Sequence, residues 1–327
     1  MRGSINRFRL CWLATLLPFL LQPVTATGET YPSRPVRVIV PFAPSGTTDI
    51  FARIAAQKLT ERLGKSFYVE NIAGASGNIG TGQAARAASD GYTLLFAFSS
   101  YVVNPSLFAK TPYDPIKDFD PVTLAVSSTA VITVNPSVPA KTLQELIELV
   151  RANPGKYSFA SPGAGTQAHL AGEQLRMSLG LDLVHVPYNG AGPSIASVVA
   201  GHTPIGVSTL ASAGPYLREG TLRALAVTAN TRSQVEPEVP TTAELGYPQI
   251  KGDSWVGVLV PAGTPKQTVN LLHHEITEAI ALPEIKERLI SIGFDPVAST
   301  PGEFAAHIKA ELELWGNVIR ASGIKPQ

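Results

Sequence analysis

The chain has 327 residues, 26 of them Lys or Arg and 25 Asp or Glu, for a formal net charge of +1. That balance is not one that binds nucleic acid. Its single cysteine, Cys11, leaves no disulfide framework to build.

The first residues read as a leader. Arg2, Arg7 and Arg9 precede an apolar run from Leu10 to Leu21, and Val24-Thr25-Ala26 supplies small residues spaced for cleavage, so residues 1–26 have the form of a secretory signal peptide. The run is broken by Pro18 and is short for a bilayer span, and Cys11 stands at its start rather than at its end, where a lipid anchor needs it. Removing the leader takes three arginines and no acid, so the mature charge is 26 − 3 − 25 = −2. It also takes the one cysteine, which excludes a cysteine nucleophile or a cysteine-ligated metal. The remainder, roughly 300 residues, is long enough for two domains.

Val36, Val38 and Val40 begin a strand of the buried parallel kind, and Ile50, Ile54 and Leu59 give the following helix its core stripe, beside Phe51 and Ala55. Between them lies a loop of small residues, Ala43-Pro44-Ser45-Gly46-Thr47-Thr48, with the helix expected from near Asp49. A helix start offers unpaired backbone N–H groups, and with two hydroxyls beside it the loop has the makings of a seat for an anion. A tight turn with Thr48 as N-cap is the plainer alternative.

Phe67 to Glu70 reads as a second strand, Gly74 to Gly82 as a glycine-rich loop, Gln83 to Ala88 as a short helix and Tyr92 to Phe98 as a third strand, an alternation that points to a mostly parallel α/β sheet. Gly80-Thr81-Gly82 with Ala85 matches half of a dinucleotide fingerprint. The first strand does not lead into it, however, and the next strand ends in Phe96-Ala97-Phe98-Ser99 without an acid. A loop packed near a cleft is the better reading, and no cofactor is expected. The prolines between Asn104 and Pro121 argue against regular structure there.

Val131 to Val134 returns to strand, and Thr142 with Glu145 forms a capping box for a helix that stops at Asn153-Pro154-Gly155. The opening arrangement then recurs. Strand Tyr157 to Ala160 runs into Ser161-Pro162-Gly163-Ala164-Gly165-Thr166 and a helix from Gln167 to Leu179, a second seat of the same kind, again with a cap, Thr166, as the plainer alternative. Strand Leu183 to Tyr188 leads through Asn189 to Pro193 into a helix reaching Val199. Pro204 to Ser208 and Leu222 to Ala229 are further strands with a helix between them that closes at Gly220. Thr241 and Glu244 cap a short helix, Trp255 to Val260 is a buried strand, and helices Lys266 to Ala281 and Pro283 to Ile292 follow. Thr300, Pro301 and Glu303 start a last helix whose stripe is Phe304, Ile308, Leu312, Trp315 and Ile319.

Catalytic or metal chemistry is hard to assemble from these residues. His273-His274-Glu275 lacks the second histidine at helical spacing that zinc requires, so no metal site is expected. No nucleophile elbow surrounds Ser161 or Ser208. His169 follows the second loop, where it touches a ligand or simply lies on a polar helix face, and His185 reads as a core or rim residue. Binding fits better. One helix start gives an anion about 0.3–1 kcal/mol when exposed and ~2 when partly buried, whereas a micromolar ligand needs about −8 kcal/mol. Two seats, charge-assisted hydrogen bonds and closure over the ligand are therefore required. With no Lys or Arg in either loop, the ligand suited to them is a carboxylate held by backbone donors.

The segments YPSRPVRVIVPFAPSGTTDI, GNIGTGQAARAASDGYTLLF, VHVPYNGAGPSIASVVAG, LRALAVTA, PAGTPK and STPGEFAAHIKAE resemble the Bug-type substrate-binding proteins of tripartite tricarboxylate transporters, from about Tyr31 to Pro326. The resemblance implies an α/β chain of the type II periplasmic binding protein fold, two doubly wound domains around a ligand cleft. Residues 27–126 and 252–327 would form the first domain and 127–251 the second. It implies a soluble monomer in the periplasm rather than an enzyme, with a large and a small integral membrane subunit as partners. The ligand contacts it implies are Ala43, Ser45, Gly46, Thr47, Thr48 and Asp49 in the first loop, Ser161, Gly163, Gly165, Thr166 and His169 around the second, and Asn189, Ala191 and Ser208. Four departures from the family pattern bear on the ligand. Pro44-Ser45-Gly46 replaces Pro-Gly-Gly, and Asn71-Ile72-Ala73-Gly74 lacks the usual Arg-Pro-Gly. Tyr188-Asn189-Gly190 loses a lysine, and Val207-Ser208 replaces Phe-Asp, removing a partner for an amino group. A carboxylate without a cationic group is therefore expected. A sensory protein reporting the same ligand to a membrane kinase stays open as the other use.

Overall fold

The computed structural model describes residues 31–322. The signal peptide read over residues 1–26 lies outside the described residues. The chain runs β1 (Val36–Val40), α1 (Thr47–Leu63), β2 (Phe67–Asn71), a 3-10 turn (Ala75–Gly77), α2 (Asn78–Ala85), β3 (Thr93–Phe98), α3 (Ser100–Leu107) and β4 (Phe119–Ser128). It continues through β5 (Ala130–Val134), α4 (Leu143–Ala152), β6 (Tyr157–Ser161), α5 (Gln167–Ser178), β7 (Leu183–Pro187), α6 (Ala191–Val199), β8 (Ile205–Thr209), α7 (Leu210–Arg218) and β9 (Arg223–Val227). It closes with β10 (Ser254–Pro261), α8 (Lys266–Ala281), α9 (Pro283–Ser291), β11 (Asp295–Pro296) and α10 (Pro301–Ser322).

These strands form two sheets, ordered β11-β4-β10-β3-β1-β2 and β7-β6-β8-β5-β9. In the first, β1 is parallel to β2 and β3, while β10 runs antiparallel between β3 and β4. In the second, β6 is parallel to β7 and β8, while β5 runs antiparallel between β8 and β9. Each lobe thus inserts one antiparallel strand into a parallel set, and that strand belongs to a crossing: β5 follows β4 out of the first sheet after Thr129, and β10 brings the chain back. Both faces are covered. Phe51, Ile54 and Leu59 of α1 pack with Leu272 and Ile276 of α8 on one face of the first sheet, and α10 places Phe304, Ile308, Trp315 and Ile319 on the other. In the second lobe Leu146 and Val150 of α4 and Leu175 of α5 cover one face, and Ile195 and Val198 of α6 the other.

Three local expectations are corrected. The stretch from Asn104 contains the end of α3, and Pro105 lies inside that helix. A proline there removes the N–H that would bond the carbonyl of Tyr101, and the Tyr113 hydroxyl donates to that carbonyl instead, at 3.0 Å. Asp120 and Pro121, placed in the same irregular stretch, belong to β4. Second, Gly80 and Gly82 are inside α2, not in a loop. A Cβ at Gly80 would lie 2.6 Å from the Ile72 carbonyl oxygen, and one at Gly82 would lie 2.6 Å from Pro112, so these glycines serve close packing. Third, Thr241 and Glu244 make their reciprocal bond, Glu244 N–H donating to Thr241 Oγ1 at 3.0 Å, but Gly246 at φ 88° followed by Pro248 ends the segment as a turn. Elsewhere the capping residues act as read: Thr142 accepts from the Glu145 N–H and Thr300 from the Glu303 N–H.

Candidate functional site

The first loop leaves β1 and enters α1 at Gly46, the N-cap, and no side chain caps the helix. The expected start near Asp49 is therefore corrected, and the alternative of Thr48 as cap falls with it: Thr47 and Thr48 form the first turn, and no side chain caps the first-turn N–H groups. Glycine has no side chain to cap with, and Asp49, the third helical residue, is turned to the loop instead. Its carboxylate reaches back as the acid of a capping box does, accepting from the Ser45 N–H at 2.9 Å, from Arg53 Nε at 3.0 Å and from Asn71 Nδ2 at 2.9 Å. Burial pushes this carboxyl up, and the bonds from Arg53, Ser45 and Asn71 outweigh it, so Asp49 stays ionised below the usual carboxylate range. Ser45 has φ 65°, a left-handed conformation costing a non-glycine residue roughly 1 kcal/mol or more. Asp49 pins that turn in place, and its carboxylate is occupied in doing so.

The second loop is built the other way. Thr166 caps α5 by accepting from the His169 N–H at 3.2 Å, and its hydroxyl donates to the Gly163 carbonyl at 2.7 Å. The Gly163 N–H donates to Ser161 Oγ at 3.2 Å, and the Gly165 N–H to His169 Nδ1 at 3.0 Å. His169 must therefore leave Nδ1 unprotonated. Its ring stacks on His185 with centroids 4.0 Å apart, and His185 Nε2 lies 2.7 Å from Ser161 Oγ. Burial, and then the neighbouring His169, push His185 down to about 3, and burial also lowers His169 against the pull of Glu173. A histidine that resists protonation this strongly is a poor general base, so the Ser161–His185 contact orients a wall.

The two loops meet opposite partners across the lobes. The Ala43 N–H donates to the Asn189 carbonyl at 3.0 Å. Thr47 Oγ1 lies 2.5 Å from Thr209 Oγ1 and 2.9 Å from Ser212 Oγ. Gly190 and Gly192 permit this approach: a Cβ at Gly190 would lie 3.0 Å from the Ala43 nitrogen and one at Gly192 2.6 Å from the Pro44 carbonyl oxygen. The second loop meets the first lobe elsewhere. A Cβ at Gly163 would lie 3.1 Å from Ser76 Oγ, and one at Gly165 would lie 2.6 Å from Leu107 and 3.1 Å from Asn104 Oδ1. What the loops share is a cavity of about 10 Å³ lined by Phe42, Gly46, Thr47, Thr48, Phe98, Pro162 and Ala191. Two threonines and otherwise apolar or small residues make its lining, with no charged residue among them.

Of the residues singled out from the sequence, Gly46, Thr47, Thr48 and Ala191 line this cavity, and Ala43 and Asn189 join the lobes through their backbones. Ser45 is exposed and Asp49 is held by its own loop. Ser161, Gly163, Gly165, Thr166 and His169 form the internally bonded second loop. Ser208 is buried, and its hydroxyl has no protein partner, as is also true of Ser99 at the end of β3. Sequence reasoning missed Thr209 and Ser212, although a Thr-x-x-Ser pair at a strand-to-helix junction was a signal. It also missed Phe42 and Phe98, and it took Pro162 only as part of the second loop.

Two α/β lobes joined by strand crossings, with an uncapped helix start facing the cleft between them, define a solute-binding protein of the periplasmic type. The chain belongs to the tripartite tricarboxylate transporter receptor family, whose model matches residues 51–324. It is 38% identical over 305 residues to protein BugT of Bordetella pertussis, 93% of each chain. Among solved structures it is similar to the periplasmic binding protein BugD, at 33% identity and a TM-score of 0.88, covering 91% of this chain and 100% of that one. A protein of R. palustris solved with adipate matches at 31% identity, with the same TM-score and coverage.

Proposed function

We propose that this chain is a periplasmic receptor that captures a small carboxylate in the cleft between its lobes and delivers it to a tripartite tricarboxylate transporter. The observation that carries the reading is the start of α1: a 17-residue helix with no capping side chain, facing an interlobe cleft that is narrowed beside Thr47 and Thr48 to about 10 Å³, room for about one water, and widens for a ligand as the lobes part. Helix-start N–H groups and hydroxyls suit an anion, and the uncharged lining offers an ammonium group nothing to pair with. The ligand is thus a carboxylate without a cationic group, and the adipate held by the R. palustris relative fits that description. Contacts come from Gly46, Thr47 and Thr48, with Ser208 as a further hydroxyl. Asp49 and the second loop act by shaping the site.

β4 runs to Ser128 and β10 begins at Ser254, which supports domain crossings close to residues 126/127 and 251/252, with closure by rotation there. The receptor reading also implies export by the leader, a monomeric carrier and two integral membrane subunits as partners. Isothermal titration of the purified protein with mono- and dicarboxylates, hydroxyacids, aspartate and glutamate tests the ligand class. Micromolar binding of an amino-free carboxylate is expected, and tightest binding of aspartate or glutamate would overturn it.

A further inference from the structure

We propose that a crevice on the outer side of the first loop is where a membrane subunit of the transporter docks, through an acidic side chain. This rests on the receptor role argued above. The crevice has a volume of about 450 Å³, and its walls include Ser45, Arg53 and Gln57 from the α1 side, Arg288 from α9, and Ala211 and Pro215 from α7.

Its charge points to the partner's chemistry. The acid in the wall is Asp49, which Arg53 already neutralises in an ion pair of 2.9 Å. Arg288 is exposed and, among the described residues, makes no ion pair. The crevice therefore carries a net positive charge, with Ile50, Ile54 and Ile292 beside the two guanidinium groups. An Asp or Glu on a short apolar segment suits it, because guanidinium groups bind carboxylates in a directed fork.

Its composition points to the partner's task. α1 and α9 belong to the first lobe and α7 to the second, so the crevice has this shape only while the lobes are closed. A membrane subunit reading it distinguishes the closed receptor from the open one. Because Asp49 holds both Arg53 and the Ser45 turn, an incoming carboxylate that shares Arg53 also acts on the loop that seats the ligand.

The test places p-benzoylphenylalanine at Gln57 in the full-length protein, in the cells that produce it, and identifies ultraviolet adducts by mass spectrometry. The expected adduct is with a periplasmic segment of an integral membrane protein, next to an Asp or Glu. Its yield should fall at least fivefold in Arg288→Glu and Arg288→Gln and survive in Arg288→Lys, while the probe at exposed Lys156 gives none. Circular dichroism and carboxylate titration of each purified variant should match wild type, and where one variant misfolds the remaining two decide. An adduct with phospholipid, no adduct, or a yield unchanged by all the Arg288 variants overturns the proposal. If no carboxylate binds the wild type, the receptor reading falls instead, whatever the crosslink shows.

Discussion

The loops after β1 and β6 are nearly alike in composition, each a few small residues with serine, proline, glycine and threonine between a strand and a helix, yet they handle their backbone donors in opposite ways. The second closes on itself: Ser161, Thr166 and His169 take the N–H groups of Gly163, His169 and Gly165. The first caps nothing with a side chain and is braced from below by Asp49. The difference comes from one position. Glycine as N-cap leaves the α1 donors open, and threonine as N-cap closes those of α5. Composition alone thus identifies a strand-to-helix turn, and the N-cap residue decides whether that turn can offer its donors to a ligand.

The most severe way to break the contrast is Asp49→Ala. It removes the acceptor of the Ser45 N–H and the partner of Arg53 and Asn71. The guanidinium left behind is 55% exposed, so the ion pair itself is worth at most about 1 kcal/mol; with the stranded Ser45 N–H and Asn71 amide the loss should reach about 3 kcal/mol in urea denaturation. The effect should also depend on pH. A carboxylate held below its ordinary value in the folded state contributes stability that is present above the ordinary value and is lost as pH falls through the folded one. Wild type and Asp49→Ala should therefore converge in stability toward strong acid. A loss under about 1 kcal/mol at neutral pH would mean that the Ser45 turn holds without its brace.

Gly192→Ala attacks the first loop from the other lobe. The added methyl would lie 2.6 Å from the Pro44 carbonyl oxygen, so the lobes cannot close as they do here. Ligand affinity should fall about a hundredfold, or about 2.8 kcal/mol. Thermal stability without ligand should hold or rise, since alanine in a helix is favoured over glycine by up to ~1 kcal/mol. Unchanged affinity would show that the first loop and α6 need not meet when ligand binds.

Much of the fold was legible because strands and helix stripes announce themselves locally. Valines at alternate positions in β1 and the Phe304-to-Ile319 stripe of α10 needed no distant information. The misses share a physical cause. Pro105 sits inside a helix because Tyr113, from a separate segment, supplies the missing bond, and Gly80 sits inside another because Pro41 and Ile72 press against it. In the site, the chain order of the loops and the Thr166 cap were readable. The Thr47–Thr209 contact joins residues 162 apart, and the use of His169 as an acceptor for its own loop depends on a ring orientation that no spacing rule fixes.

Acid should affect the second loop more gradually than the loss of a brace affects the first. His185 titrates at about 3 in the folded protein against an ordinary 6.5, so the unfolded chain binds the extra proton between those values. Stability is then fully present above pH 6.5 and declines as pH falls toward 3, reaching a loss of up to about 2 kcal/mol at about pH 5. His185→Gln should flatten that part of the stability-versus-pH curve, measured by urea denaturation from about pH 7 to about pH 5. An identical slope in wild type and variant would remove His185 as the cause.

The smallest expected effect separates wall from donor most directly. Thr166→Ala deletes the cap of α5, and a lost cap costs about 1 kcal/mol of stability. If the second loop only shapes the cleft, carboxylate affinity should change less than twofold, because the His169 N–H and the Gly163 carbonyl that lose their partner belong to the loop's own bonding. A drop of tenfold or more with the fold intact would make the loop a direct holder of the anion. The asymmetry between the two N-caps would then describe their architecture and not their roles.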